Sequence, residues 1–155
     1  MDTTADQPRS LSIWRNFDGD KMSLLIGAVL GISAVPSITV NVIPHGTGRY
    51  PTVGDWQWGK DDGLTVTVSD LGDHRFNLLV AAHELTEALL CRRDGVTEAE
   101  VDSWELAHLE SEEPGEEAGA PYFTQHAEAC AVERWLAWMM GVVWEEYEAA
   151  YERLD

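Results

Sequence analysis

The stretch LVAAHELTEALLC, residues 79–91, sets a histidine and two glutamates in an otherwise apolar run. His83, Glu84 and Glu87 have Leu79, Val80, Ala81, Ala82, Leu85, Ala88, Leu89 and Leu90 as neighbours. Burying ionisable groups is costly unless something pairs with or coordinates them. Arg92 and Arg93 suit a last helical turn and Gly95 suits a stop, so the pattern predicts a helix over 75–93. On that helix His83 and Glu87, four positions apart, point at one spot, and Glu84 projects beside it. Imidazole and carboxylate are both zinc ligands at about 2 Å. The arrangement follows the logic of HExxH metalloproteases, in which two histidines hold zinc and the intervening glutamate is the general base. Here the second histidine is replaced by glutamate. The plainer alternative is a buried His–Glu pair that needs no metal.

A metal site needs a third ligand. Asp102 on the next helix and His126 early in the one after are the candidates, and His108 is a weaker one. Glu105 shares a helical stripe with Asp102 and is read as a supporting partner or an alternative ligand. His45 and His74 fall in loops and are read as surface residues. Zinc is the expected ion, with another divalent metal as the alternative if several acidic ligands lower the charge of the site.

Outward from this helix the pattern changes. SITVNVIP alternates Ile38, Val40 and Val42 against Thr39 and Asn41, and GLTVTVSDL alternates Leu64, Val66 and Val68 against Thr65 and Thr67. Trp56 and Trp58 alternate just ahead of the turn signal GKDDG. These segments predict a small antiparallel sheet of about three strands, followed by about four helices, in an α+β fold. Thr97 and Glu100 have capping-box spacing for the second helix. Pro121 suits the first turn of a third helix carrying His126, Cys130, Trp135 and Trp138. A last helix places Val143, Tyr147, Ala150, Tyr151 and Leu154 on one stripe. Trp56, Trp58 and Trp104 are read as core, with a cleft lining as the alternative.

Residues 1–36 are read as a polar tail plus an apolar segment, and 37–155 as a single domain. The apolar run Leu24–Val35 is too short for a standard transmembrane helix. A signal peptide is the alternative to a cytoplasmic chain, but Asp18 and Asp20 just ahead of the run speak against it. The net charge of −18 argues against direct nucleic-acid binding and against anionic membranes. No Lys or Arg occurs between Arg93 and Arg134. That interval reads as solvated helix surface plus an acidic loop; the sharper reading is an acidic inhibitor of a nucleic-acid or defence enzyme. Cys91 and Cys130, the only cysteines, are read as reduced core thiols.

RYPTVGDW, VSDLGDHRFNLLVAAHELTEALLC, Val101–Asp102 and APYFTQH together resemble a family of small, uncharacterised bacteriophage and prophage proteins with a zincin-like HExxE core. The resemblance spans about residues 38–150. It implies a metallopeptidase-like fold and a phage or prophage setting in the host cytoplasm. It matches His83, Glu84 and Glu87 to the motif and Asp102 and His126 to later polar positions. It implies no particular substrate. The expected function is a zinc-dependent hydrolase of peptides or proteins, with Glu84 as general base and His83, Glu87, His126 and Asp102 as metal ligands. The rival is a binding protein that keeps a closed metal site for stability.

Overall fold

The computed structural model describes residues 37–111 and 113–154. The expected tail and apolar segment at 1–36 lie outside the described residues. Three strands come first: β1 (Ile38–Ile43), β2 (Gly54–Trp58) and β3 (Leu64–Ser69). They are followed by α1 (His74–Asp94), α2 (Glu98–Ala107), a 3-10 turn (Pro114–Glu116), α3 (Phe123–Met139) and α4 (Trp144–Tyr151). This is the α+β order that the alternating and helical patterns predict.

The sheet is mixed, not wholly antiparallel as expected. Its order is β1-β3-β2, with β1 parallel to β3 and β2 antiparallel to β3. The reason lies in the two connections. β2 and β3 form a hairpin whose turn closes through Gly59 N–H donating to Gly63 O at 2.7 Å. The loop from Pro44 to Val53 instead carries the chain past one strand position, and β3 then fills the gap. β3 is therefore central, and Leu64, Val66 and Val68 are fully buried. β1, at the margin, keeps Ile38, Val40 and Val42 about half exposed.

α1 lies between β2 and β3 on one side and α3 on the other. Asp73 caps its start by accepting from Arg75 N–H at 2.8 Å. Gly95 stops it with φ 79°, in the left-handed region that favours glycine. Phe76, Leu79, Val80, Ala88 and Cys91 bury against the sheet and the later helices. Each large apolar side chain so buried contributes about 1.5–3 kcal/mol. The capping box at the start of α2 forms as its spacing predicts: Thr97 accepts from Glu100 N–H, and Glu100 accepts from Thr97 N–H. Pro121 sits in the turn just ahead of α3, two residues before the helix begins. Trp56 is buried in the core and Trp58 and Trp104 pack against it, whereas Trp135 and Trp138 on α3 face solvent.

Candidate metal centre

α1 and α3 bring their polar side chains together in the space between them. α1 supplies His83 and Glu87; α3 supplies His126, Cys130 and Glu133. The ligand atoms of His83, His126 and Cys130 all lie within 4.8 Å of one another, so this group could hold a metal ion. The two imidazoles meet edge-on with centroids 4.9 Å apart.

The hydrogen bonds behind the rings decide which nitrogens face inward. His83 Nδ1 lies 3.0 Å from Glu133 Oε2, and His126 Nδ1 lies 2.9 Å from Glu87 Oε2. Each carboxylate is anchored at its other oxygen. Trp56 Nε1–H donates to Glu87 Oε1 at 3.0 Å, and the Tyr147 hydroxyl donates to Glu133 Oε1. Both rings are thus held by the carboxylate–imidazole arrangement found behind metal-ligating histidines, which leaves Nε2 to face a metal. His126 Nε2 stands 3.5 Å from Cys130 Sγ. Tetrahedral zinc with ordinary Zn–N and Zn–S bonds places those two atoms about 3.6 Å apart.

The charges have no organic cation to balance them. Among the described residues, Glu87 and Glu133 pair only with histidines, and no Arg or Lys forms an ion pair with either. Burial pushes the His126 imidazole down, but Cys130 and Glu87 outweigh it and raise its pKa to about 10. His83 is likewise raised well above its ordinary value, because Cys130, Glu133 and Glu87 overcome the cost of burial. Burial pushes the Cys130 thiol up, yet His126 and His83 bring it down to about 7. Burial also pushes Glu87 up, and the hydrogen bonds from His126 and His83 hold it below the usual carboxylate range. A cage of this kind, without metal, keeps protons on its imidazoles. A divalent cation would take their place.

The residues expected at the site fare differently. His83 and His126 point into it. Glu87 is in it, but as the partner of His126 Nδ1 and not among the three grouped ligand atoms. Asp102 is engaged elsewhere: Arg49 Nη1–H donates to it at 2.9 Å and the Tyr50 hydroxyl at 3.2 Å. The same guanidinium is shared with Asp55 and Glu98, so Asp102 helps neutralise an arginine. Glu105 accepts from the Tyr122 hydroxyl at 3.0 Å, and burial with the Glu87 charge nearby raises it to about 7. His108 stacks on Trp104 at 3.9 Å and bonds to that residue's carbonyl, away from the site. His74 is exposed; His45 is half-buried, with Nδ1 3.0 Å from Ser69 Oγ.

Cys130 and Glu133 were not expected at the site. His126 and Cys130 repeat the four-residue spacing of His83 and Glu87, which is the signal that could have found the thiol. Glu84 packs against β2, where a Cβ on Gly54 would collide with its carboxylate. Burial and the nearby Glu87 charge raise its pKa well above the ordinary value.

Two variants probe the supports. Glu133→Gln turns an acceptor pair into a group that must present an NH2 to either His83 or Tyr147, both donors. Metal affinity should fall roughly 10–100-fold, read by competition with a chromophoric chelator; unchanged affinity would show that Glu133 does not orient His83. Gly115 of the 3-10 turn lies against the other ring, where a Cβ would sit 2.5 Å from His126 Cγ. Gly115→Ala should cost about 1–3 kcal/mol by overpacking and weaken metal binding with it. Denaturant unfolding and metal titration of the same sample would separate the two effects.

No curated protein and no solved structure matches the chain. A family model described as a protein of unknown function (DUF2396) matches residues 74–139, which run from the first residue of α1 to the last of α3 and include His83, Glu84, Glu87, His126, Cys130 and Glu133.

Proposed function

We propose that this protein is a metal-dependent hydrolase of the metallopeptidase type, with a divalent ion, zinc by its ligand chemistry, held by His83, His126 and Cys130. The observation that carries the reading is the convergence of those three side chains within 4.8 Å, with a buried carboxylate behind each imidazole. Two imidazoles and a thiolate suit zinc better than magnesium or calcium, which prefer oxygen ligands. A zinc ion held by these three ligands would have room for a water and would lower its pKa to about 7.

Glu84 is the proposed base: it follows His83 on α1, its carboxylate packs against Gly54 of β2, and it feels the charges of Glu87 and His83. Its role is to take a proton from the attacking water and pass it to the leaving amine of a peptide or protein substrate. The peptidase class rests on the HExxE resemblance. Among the described residues no helix is long and apolar enough to cross a membrane.

The test is metal content by mass spectrometry of the purified full chain beside His83→Ala and Cys130→Ser, with hydrolysis of a quenched-fluorescent peptide library. About one zinc per chain, lost in both variants together with hydrolysis, is the expected result. A metal-free wild-type chain after growth in zinc-supplemented medium would sink the proposal.

A further inference from the structure

We infer that Glu113, on the acidic loop between α2 and α3, is a fourth and detachable ligand of the His83–His126–Cys130 centre. The inference rests on the metal reading above and states how that centre is closed and opened. With Nδ1 of His126 taken by Glu87, Nε2 is the nitrogen that faces the ion. On the Nε2 side stand two donors: Cys130 Sγ at 3.5 Å and Glu113 Oε2 at 3.8 Å. Nitrogen and oxygen ligands of tetrahedral zinc lie about 3.3 Å apart. Glu113 Oε2 is thus about half an ångström beyond a ligand's separation from His126. Its carboxylate lies outside the tight His83–His126–Cys130 group, so its exposed side chain must swing inward to complete the set. Glu87 Oε2 also stands 3.6 Å from His83 Nε2, but that oxygen serves Nδ1 of His126 and the other accepts from Trp56, so Glu87 is already engaged where Glu113 is free to come and go.

The loop is seated to deliver this carboxylate. The Trp104 indole N–H donates to the Pro114 carbonyl at 2.9 Å, and Gly115 is buried with its Cα against the His126 ring. The anchor points are thus the two residues that follow Glu113. Their grip fixes the backbone and leaves the side chain of Glu113 60% exposed, against 12% for His83 and 9% for His126. A solvent-facing monodentate carboxylate is the ligand that exchanges with water most readily. A thiolate and a carboxylate balance a divalent ion within the ligand set, while Glu87 and Glu133 behind the imidazoles keep the surroundings negative. Substrate or water reaches the ion where Glu113 leaves it.

Cobalt(II) in place of zinc tests this with the full chain. In the wild type we expect a near-ultraviolet thiolate-to-cobalt absorption and strong visible bands of a four-coordinate ion. Glu113→Ala and Glu113→Gln should keep the thiolate absorption and lose or shift the visible bands, and added acetate should move the Glu113→Ala spectrum back toward the wild type. Visible spectra that superimpose for wild type and variants, with the thiolate absorption present in all, would overturn the role of Glu113 alone. A wild-type spectrum without the thiolate absorption would overturn the metal centre itself, and this inference with it.

Discussion

Stripping the metal with a chelator should lower the melting temperature by roughly 8–16 °C. An ion present at a thousand times its dissociation constant stabilises the folded state by about 4.1 kcal/mol, and each kcal/mol moves the melting point of a chain this size by about 2–4 °C. The effect is large because α1 and α3 meet across a layer of charge. Glu87 and Glu133 are both buried, and only two imidazoles and two aromatic donors answer them.

The shift should also depend on pH, with a definite sign. Without metal, His126 titrates near pH 10, so its protonated form stabilises the fold fully below the ordinary value of 6.5 and that stability is lost as pH rises through 10. His83 is raised in the same direction. Metal binding must expel these protons, so affinity should weaken roughly tenfold per pH unit for each proton displaced. The gap between loaded and stripped protein should therefore be widest in mildly alkaline buffer and shrink toward about pH 6. Calorimetry with and without chelator at three pH values reads it directly. Coincident melting curves at every pH would mean that no ion contributes to stability.

Much of the fold was legible because local physics specifies it. Asp73, Arg92, Arg93 and Gly95 bracket α1, and Thr97 with Glu100 open α2, through contacts between near neighbours in sequence. Strand direction is a different matter. The alternation of Ile38, Val40 and Val42 is the same whether β1 runs with or against β3. What decides it is where the loop from Pro44 to Val53 delivers the chain, and its residues carry no periodic signal.

The site divides in the same way. His83 and Glu87 are visible as a pair because they are four apart on one helix. The role of Glu87 depends on which nitrogen of His126 it meets, a tertiary fact. Asp102 stands outside the grouped ligands and pairs with Arg49, 53 positions earlier, a partner that no local spacing announces. Cys130 was legible in principle from its spacing to His126. By sequence alone it reads as a core thiol, because a cysteine in an apolar helix is usually one.

Replacing Glu84 by Gln should cut peptide hydrolysis by roughly 10²–10⁴-fold with metal still bound. Gln keeps the shape that fits against Gly54, so the loss would come from proton transfer and not from repacking. Burial and the Glu87 charge both oppose ionisation of Glu84, and Glu105 and Asp55 add to this while His83 works against it. The raised pKa has a consequence for the wild type. The acidic limb of its pH–rate profile should lie above the usual glutamate range, closer to neutrality, where a carboxylate can both accept a proton and release it. It has a consequence for stability too: an isosteric amide avoids the cost of ionising a buried acid, so Glu84→Gln should melt at or above the wild-type temperature in neutral buffer. An inactive, metal-loaded and undestabilised variant is the signature of a base. Full activity would remove Glu84 from the mechanism, and loss of the metal would make it a ligand instead.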